Sequence, residues 1–256
     1  MSGIFDTHAH YDDEKFNEDR AALLSSLPSK GVELVMNCAT NPGSIKSTLA
    51  LAKEYDFIYA AIGFHPEDLI GLKLSDLETV KTLALQEPKV KAIGEIGLDY
   101  YWKEVPRETQ LPFFETQIEL AKALGLPVIV HDREAHEDTY ALLRKHKPKG
   151  VLHCYSGSAE SAKEILDNGM YIGIGGALTF KNAKKVLKVA EYVPLERILL
   201  ETDAPYMAPV PCRGKRNDSS LIAHVAEKLA EIKGISTKEV IDTCNRNGRE
   251  LFHIDK

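Results

Sequence analysis

Ile4-Phe5-Asp6-Thr7-His8-Ala9-His10 opens as an apolar strand and ends on two histidines. In a β-strand alternate side chains point the same way, so His8 and His10 project together from one strand end. Two imidazoles sharing one direction form half of a divalent-metal site. A short H-x-H also occurs by chance in turns, so its meaning depends on what stands at the ends of the other strands.

Outward from this stretch, short β-branched runs alternate with amphipathic segments to the end of the chain. The sequence predicts strands at Ile4–Thr7, Glu33–Cys38, Ile58–Gly63, Lys91–Glu95, Pro127–His131, Gly150–His153, Met170–Ile174 and Arg197–Glu201. Runs such as Val128-Ile129-Val130 and Ile198-Leu199-Leu200 fit parallel strands covered on both faces. Between them, Ser75-x-x-Glu78 and Ser236-x-x-Glu239 read as capping boxes, and Gly125, Gly169 and Gly234 stand where helices end. Pro112 predicts that the helix carrying Ile118, Leu120 and Leu124 starts near it, with Arg107 to Leu111 as a separate turn.

The chain has 256 residues, 44% hydrophobic and 27% charged, ordinary values for a globular protein with a sizeable core. No Pro/Gly/Ser-rich linker or repeat divides it, so one domain over 1–256 is expected. A net charge of -6 excludes a global basic footprint, and any nucleic-acid contact has to be local or helped by cations. Cys38, Cys154, Cys212 and Cys244 form no C-x-x-C pair, which points to free thiols in a reducing compartment. With no room for a signal peptide before Asp6 and no apolar run of about 20 residues, a cytoplasmic protein without membrane contact is expected.

Eight strand–helix units in about 250 residues match a (β/α)8 TIM barrel, the alternative being an open doubly wound sheet. The strand ends decide between them. His8 and His10 follow strand one, His65 strand three, Glu95 strand four, His131 strand five, His153 strand six and Asp203 strand eight. On a barrel rim these converge; along an open edge they spread over more than about 20 Å. Singly, His131 or His153 reads as a buried histidine satisfied by backbone, Asp203 as a turn initiator and Glu95 as a cap. His8, His10, Glu95, His131, His153 and Asp203, six together on one rim, read as ligands. A single catalytic zinc takes about three protein ligands, so this set suits two metals sharing a bridging carboxylate and a bridging hydroxide.

The motifs D-T-H-A-H at Asp6, G-x-H-P at Gly63, G-E-I-G-L-D at Gly94, V-H at Val130, H-C-Y-S-G at His153 and E-T-D-A-P at Glu201 resemble those of TatD-family metal-dependent hydrolases, in the wider amidohydrolase-like superfamily. The resemblance runs from Asp6 to about Phe252. It implies a distorted TIM barrel with its metal site at the C-terminal strand ends, two divalent cations, and magnesium-dependent deoxyribonuclease activity, often 3′→5′ exonucleolytic. Position by position it implies one metal on His8, His10, Glu95 and Asp203, and another on Glu95, His131 and His153. His65 stands where similar proteins line the substrate pocket. Relatives often carry an aromatic residue or histidine where this chain has Cys212.

Four imidazoles suit Zn2+ or Mn2+ better than Mg2+, which prefers oxygen, so the native metal is open among the three. Arg213, Lys215 and Arg216 follow Asp203 on the same rim, where they either grip a phosphate or form a solvated loop. Tyr100, Tyr101 and Trp102 either stack on a base or pack the rim. The leading expectation is a phosphodiesterase acting on DNA ends, with a bridging hydroxide as nucleophile, Asp203 as general base and Glu201 as a helper behind it. Hydrolysis of an ester or amide, such as a D-aminoacyl-tRNA, is the alternative. A third reading is a non-catalytic nucleic-acid-binding barrel. Oligomeric state is not legible, and a monomer is compatible with the sequence.

Overall fold

The computed structural model describes residues 3–255. Eight parallel strands follow one another in chain order: β1 (Ile4–Ala9), β2 (Val32–Cys38), β3 (Ile58–Ile62), β4 (Val90–Asp99), β5 (Val128–Arg133), β6 (Gly150–Leu152), β7 (Tyr171–Ile174) and β8 (Ile198–Leu200). The helices around them are α1 (Arg20–Ser26), α2 (Pro42–Glu54), α3 (Leu77–Gln86), α4 (Arg107–Leu124), α5 (His136–His146), α6 (Ala159–Asp167), α7 (Lys184–Tyr192), α8 (Ile222–Lys233) and α9 (Thr237–Phe252). This is the expected (β/α)8 barrel.

Its distortion lies at the seam. β8 and β1 form no ladder; the segment after β8 closes the barrel instead, through an Ala9–Ala204 bridge, Asp203 N–H to the His8 carbonyl (2.9 Å) and His10 N–H to the Ala204 carbonyl (2.7 Å). Buried Asp6 clamps the same seam, accepting from Thr202 N–H (3.0 Å) and from the hydroxyls of Thr202 and Ser219 (2.6 Å each). That closure pulls Asp203 against His8 and His10.

Two apolar layers hold the barrel. Between strands and helices lies a shell including Leu24, Ile45, Val80, Ile118 and Val225. Inside, each strand contributes to a second cluster: Phe5, Met36, Ala61, Ala92, Ile129, Val151, Tyr171 and Leu199, joined by Leu251, Phe252 and Ile254 from the C-terminal end. The inner cluster fills the barrel as a packed core, leaving the opposite end for polar side chains.

Three local expectations are corrected. α4 begins at Arg107, five residues before Pro112. Its first turn is anchored because the Gln110 side chain pairs with Asp99, accepting from N–H (2.8 Å) and donating to C=O (2.7 Å), while Pro112 removes only one helical N–H. Ser75 caps nothing; Asp76 accepts from Lys73 N–H at the start of a 3-10 turn that precedes α3. β4 runs four residues past Glu95, to Asp99. Ser236 does cap α9, accepting from Glu239 N–H.

Candidate metal centre

Simple alternation does not deliver the site residues. Phe5 faces the inner core, so strict period-two geometry turns His8 to the opposite face. Between Asp6 and Ala9, however, β1 advances three residues while β2 advances two, from Val35 to Asn37. One extra residue reverses the parity beyond it. The same device sits in β4, where Ile93 to Ile96 spans three residues against Val128 to Val130 in β5. Ala92 points inward, and the irregularity turns Glu95 inward too. Gly97 accommodates it, with a φ of +148° and a backbone so close to His131 that a Cβ would lie 1.9 Å from the His131 carbonyl oxygen.

Glu95 is buried and its two oxygens face different partners. Oε2 lies 3.2 Å from His8 Nε2 and 3.4 Å from His10 Nε2. Oε1 lies 3.0 Å from His131 Nδ1, 2.9 Å from His153 Nε2 and 3.5 Å from His65 Nε2. Asp203 Oδ1 completes the first side, 3.4 Å from His10 Nε2 and 3.8 Å from His8 Nε2. The structure thus brings His8, His10, His65, Glu95, His131, His153 and Asp203 together from six strand ends.

The far sides of His10 and His131 are held. His10 Nδ1 donates to the Cys38 carbonyl (2.8 Å), so its Nε2 is the atom left for the centre. His131 turns Nε2 to buried Asp99 Oδ2 (2.9 Å), leaving Nδ1 toward Glu95. Asp99 is itself fixed by the N–H groups of Tyr101 and Trp102. Beneath His153, whose Nδ1 has no hydrogen-bond partner, Glu201 accepts from Cys154 N–H (2.5 Å). Its carboxylate occupies the space that Gly173 leaves, since a Cβ there would come within 2.4 Å of Oε2.

The electrostatics follow from burial and this crowding. Burial, reinforced by His153, lowers His8 to about 4 and keeps the imidazole neutral. Burial disfavours charge on Glu95, yet His153, His8, His65 and His10 hold it well below the usual carboxylate range. For His131, burial is outweighed by hydrogen bonds to Asp99 and Glu95, and the ring is pushed up to about 10. Burial pushes Glu201 up to about 7, against the pull of His153.

Ring nitrogens converging on shared carboxylate oxygens, with His8 and His10 Nε2 only 3.0 Å apart, fit divalent cations. Cations loading here displace protons from His10 and His131, so loading tightens as pH rises. Asp99, which sequence reasoning passed over, sets which nitrogen of His131 faces Glu95. Its signal was available: a carboxylate closing the same strand that carries a candidate metal ligand. Asp99→Asn is expected to weaken metal affinity by roughly 10- to 100-fold with the fold intact. Metal titration alongside the thermal midpoint checks this, and unchanged affinity contradicts it.

The basic loop lies elsewhere. Arg213, Lys215 and Arg216 line a neighbouring depression with Lys15 and Phe180, sharing only Tyr206 and Met207 with the central cavity. Arg216 is consumed by a two-pronged pair with Asp19 (2.6 and 2.8 Å) and by the Lys15 carbonyl. Arg213 lies over the Phe180 ring at 4.2 Å. Tyr100 bonds Asp138 rather than facing the cavity, and Cys212 lies outside the cavity lining. His136 and His146 pair with Asp132 and Glu115, away from the centre.

A family model described as TatD related DNase matches residues 5–253. The chain belongs to this family. It is 41% identical to the uncharacterized metal-dependent hydrolase YabD of Bacillus subtilis, covering 98% of this chain and all of that one. It is 32% identical to the 3'-5' ssDNA/RNA exonuclease TatD of Klebsiella pneumoniae, over 98% of each chain. The crystal structure of the TatD homolog YjjV from Escherichia coli K12 superposes with a TM-score of 0.92 at 34% identity, over 98% of each chain. The chain is therefore a metal-dependent hydrolase of the TatD family. Among the described residues no helix is long and apolar enough to cross a membrane.

Proposed function

We propose that the chain is a two-metal phosphodiesterase that removes nucleotides from DNA ends in the 3′→5′ direction. The observation that carries this reading is the division of Glu95: one oxygen serves His8 and His10, the other His131 and His153. Two imidazole pairs that share one carboxylate would hold two cations side by side, and such a pair would stabilise the attacking and leaving oxygens of an in-line displacement at phosphorus. The related exonuclease supports the choice of a nucleic acid as substrate.

His8, His10, Glu95 and Asp203 would hold one divalent cation (Mg2+, Mn2+ or Zn2+), and Glu95, His131 and His153 the other. When bound, such a pair lowers the pKa of a water molecule and polarises the scissile phosphate. Asp203 accepts the proton of the attacking water and returns it to the leaving oxygen. Both carboxylates line the cavity, and the Asp203 side chain is the more open of the two, 22% exposed against 4% for Glu95. His65, beside Glu95 and lining the cavity, contacts the phosphate from the β3 side. Glu201 lies beneath His153, its Oε1 3.9 Å from Nδ1, and supports that strand end through Cys154 N–H. Arg213 and Lys215, beyond Tyr206 and Met207, meet the part of the strand that leaves the cavity.

The test is hydrolysis of end-labelled single-stranded DNA by metal-stripped protein resupplied with Mg2+, Mn2+ or Zn2+. A ladder that shortens from the 3′ end only when metal is restored is expected. No cleavage with any metal overturns the nuclease reading and moves the substrate to esters or amides, with aminoacyl-tRNA assayed next.

A further inference from the structure

The cavity over the candidate metal centre, about 1000 Å³, is lined by carboxylates including Asp12, Asp13, Glu67, Asp68 and Asp132 and, among the described residues, by one cationic side chain of the Lys/Arg type, Arg133. An anionic substrate needs a counterweight in such a mouth. Arg133 ends β5 two residues after His131, so both side chains leave the strand on the same face, their Cα atoms roughly 7 Å apart. The guanidinium carbon lies 4.0 Å from the centre of the Tyr101 ring and 5.8 Å from that of Trp102. Stacking fixes its plane and leaves the edge carrying its N–H donors uncommitted: among the described residues the side chain makes no hydrogen bond or ion pair, although Glu67 and Asp132 line the same cavity. The other well-placed arginines, Arg107 and Arg216, are both spent on aspartates. Trp102, 44% exposed, stands edge-on to Tyr101 and lines the cavity beside Arg133.

We infer that Arg133 is the phosphate clamp of the substrate cavity, holding a phosphate next to the scissile one while Trp102 stacks on the adjoining base. A planar fork of donors matches phosphate oxygens, and an exposed indole offers a face to any base. This inference rests on the nucleic-acid reading above and adds a specificity: the enzyme favours substrates with a second phosphate and a base beyond the bond it cuts. Arg133 is a substrate-binding residue and takes no part in the proton transfer.

Trp102 is the chain's one tryptophan, so its emission reports on this position alone. The full-length, Mn2+-loaded protein is titrated with a short single-stranded thymidine oligonucleotide carrying phosphorothioate linkages, alongside Arg133→Met and Arg133→Lys. Wild-type emission is expected to change saturably. Arg133→Met is expected to weaken binding at least about tenfold, the worth of a charge-assisted hydrogen-bonded pair. The slope of log affinity against log salt should fall by about 0.7, one single-strand phosphate contact. Lysine should recover only part, since it keeps the charge and loses the fork. Hydrolysis of bis(p-nitrophenyl) phosphate, which has no second phosphate, should fall by a clearly smaller factor than oligonucleotide affinity in both variants. Unchanged affinity and salt slope in Arg133→Met, no emission change in the wild type, or an equal loss on both substrates overturns the clamp. If the phosphorothioate probe binds through Arg133 but the wild type cleaves no unmodified oligonucleotides of the same sequence, the nuclease reading fails and the clamp stands. If the wild type cleaves them and Arg133→Met does so with unchanged KM, the reverse holds.

Discussion

Replacing Glu95 by glutamine is expected to abolish hydrolysis while leaving the barrel folded. Glutamine keeps the volume but offers one acceptor oxygen where the carboxylate offers two. Whichever way the amide turns, its N–H2 faces either His8 and His10 or His131 and His153, and that imidazole pair loses the anionic oxygen it shares. A donor aimed at ligand nitrogens repels a cation rather than holding it. The rate should fall roughly a thousandfold or more, since Lewis-acid stabilisation is worth several kcal/mol. Bound metal should drop from two ions per chain to one or none. Folding should survive, because the variant removes a buried charge rather than a packing element and the inner core from Phe5 to Leu199 is untouched. Metal content, circular dichroism and turnover on one preparation settle it. Full activity with two ions bound shows that Glu95 does not bridge.

How the chain delivers Glu95 explains what was legible in the sequence. Alternating apolar runs and polar strand ends were enough to expect a barrel and to nominate the residues that meet at its rim. They were not enough to explain why these residues meet. His8 and Glu95 reach the centre through irregularities in β1 and β4 that reverse side-chain parity, and only β4 carried a signal for one, glycines inside a strand at Gly94 and Gly97. In β1 the extra residue follows from the seam, where Asp6, Thr202 and Ser219 close the barrel by side chains nearly 200 positions or more apart. No local pattern records such a contact. α4 shows the same limit from the other side. Pro112 is a sound local reason to start the helix late, and Gln110, bonded to both backbone groups of Asp99, outweighs it. The basic loop reads alike in sequence whether its arginines face substrate or aspartate; only the fold brings Asp19 to Arg216 and leaves Arg133 unpaired.

Asp203→Asn separates catalysis from metal holding. Asp203 and Glu95 both face His8 and His10, but they differ in access: Glu95 lies at the bottom, between the two imidazole pairs, and Asp203 stands at the cavity with a φ of +60°. Left-handed backbone is one that aspartate tolerates better than most residues, and the Asp203 N–H bond to the His8 carbonyl holds it there. Burial alone would raise its carboxyl; the hydrogen bond and charge of His10 hold it below the usual carboxylate value, so it is ionised and able to take a proton at neutral pH. Asparagine keeps the shape and one oxygen toward His10 but takes no proton. The expected result is a loss of roughly 10²- to 10⁴-fold in kcat, the span general-base removal commonly costs. Metal content should stay near that of the wild type at saturating metal, because three other groups, His8, His10 and Glu95, still serve that side. The loss should also persist at high pH, where a weakened metal site would recover as competing protons leave the imidazoles. An asparagine variant that regains full rate at high pH or high metal assigns Asp203 to metal binding alone and leaves the proton to another group.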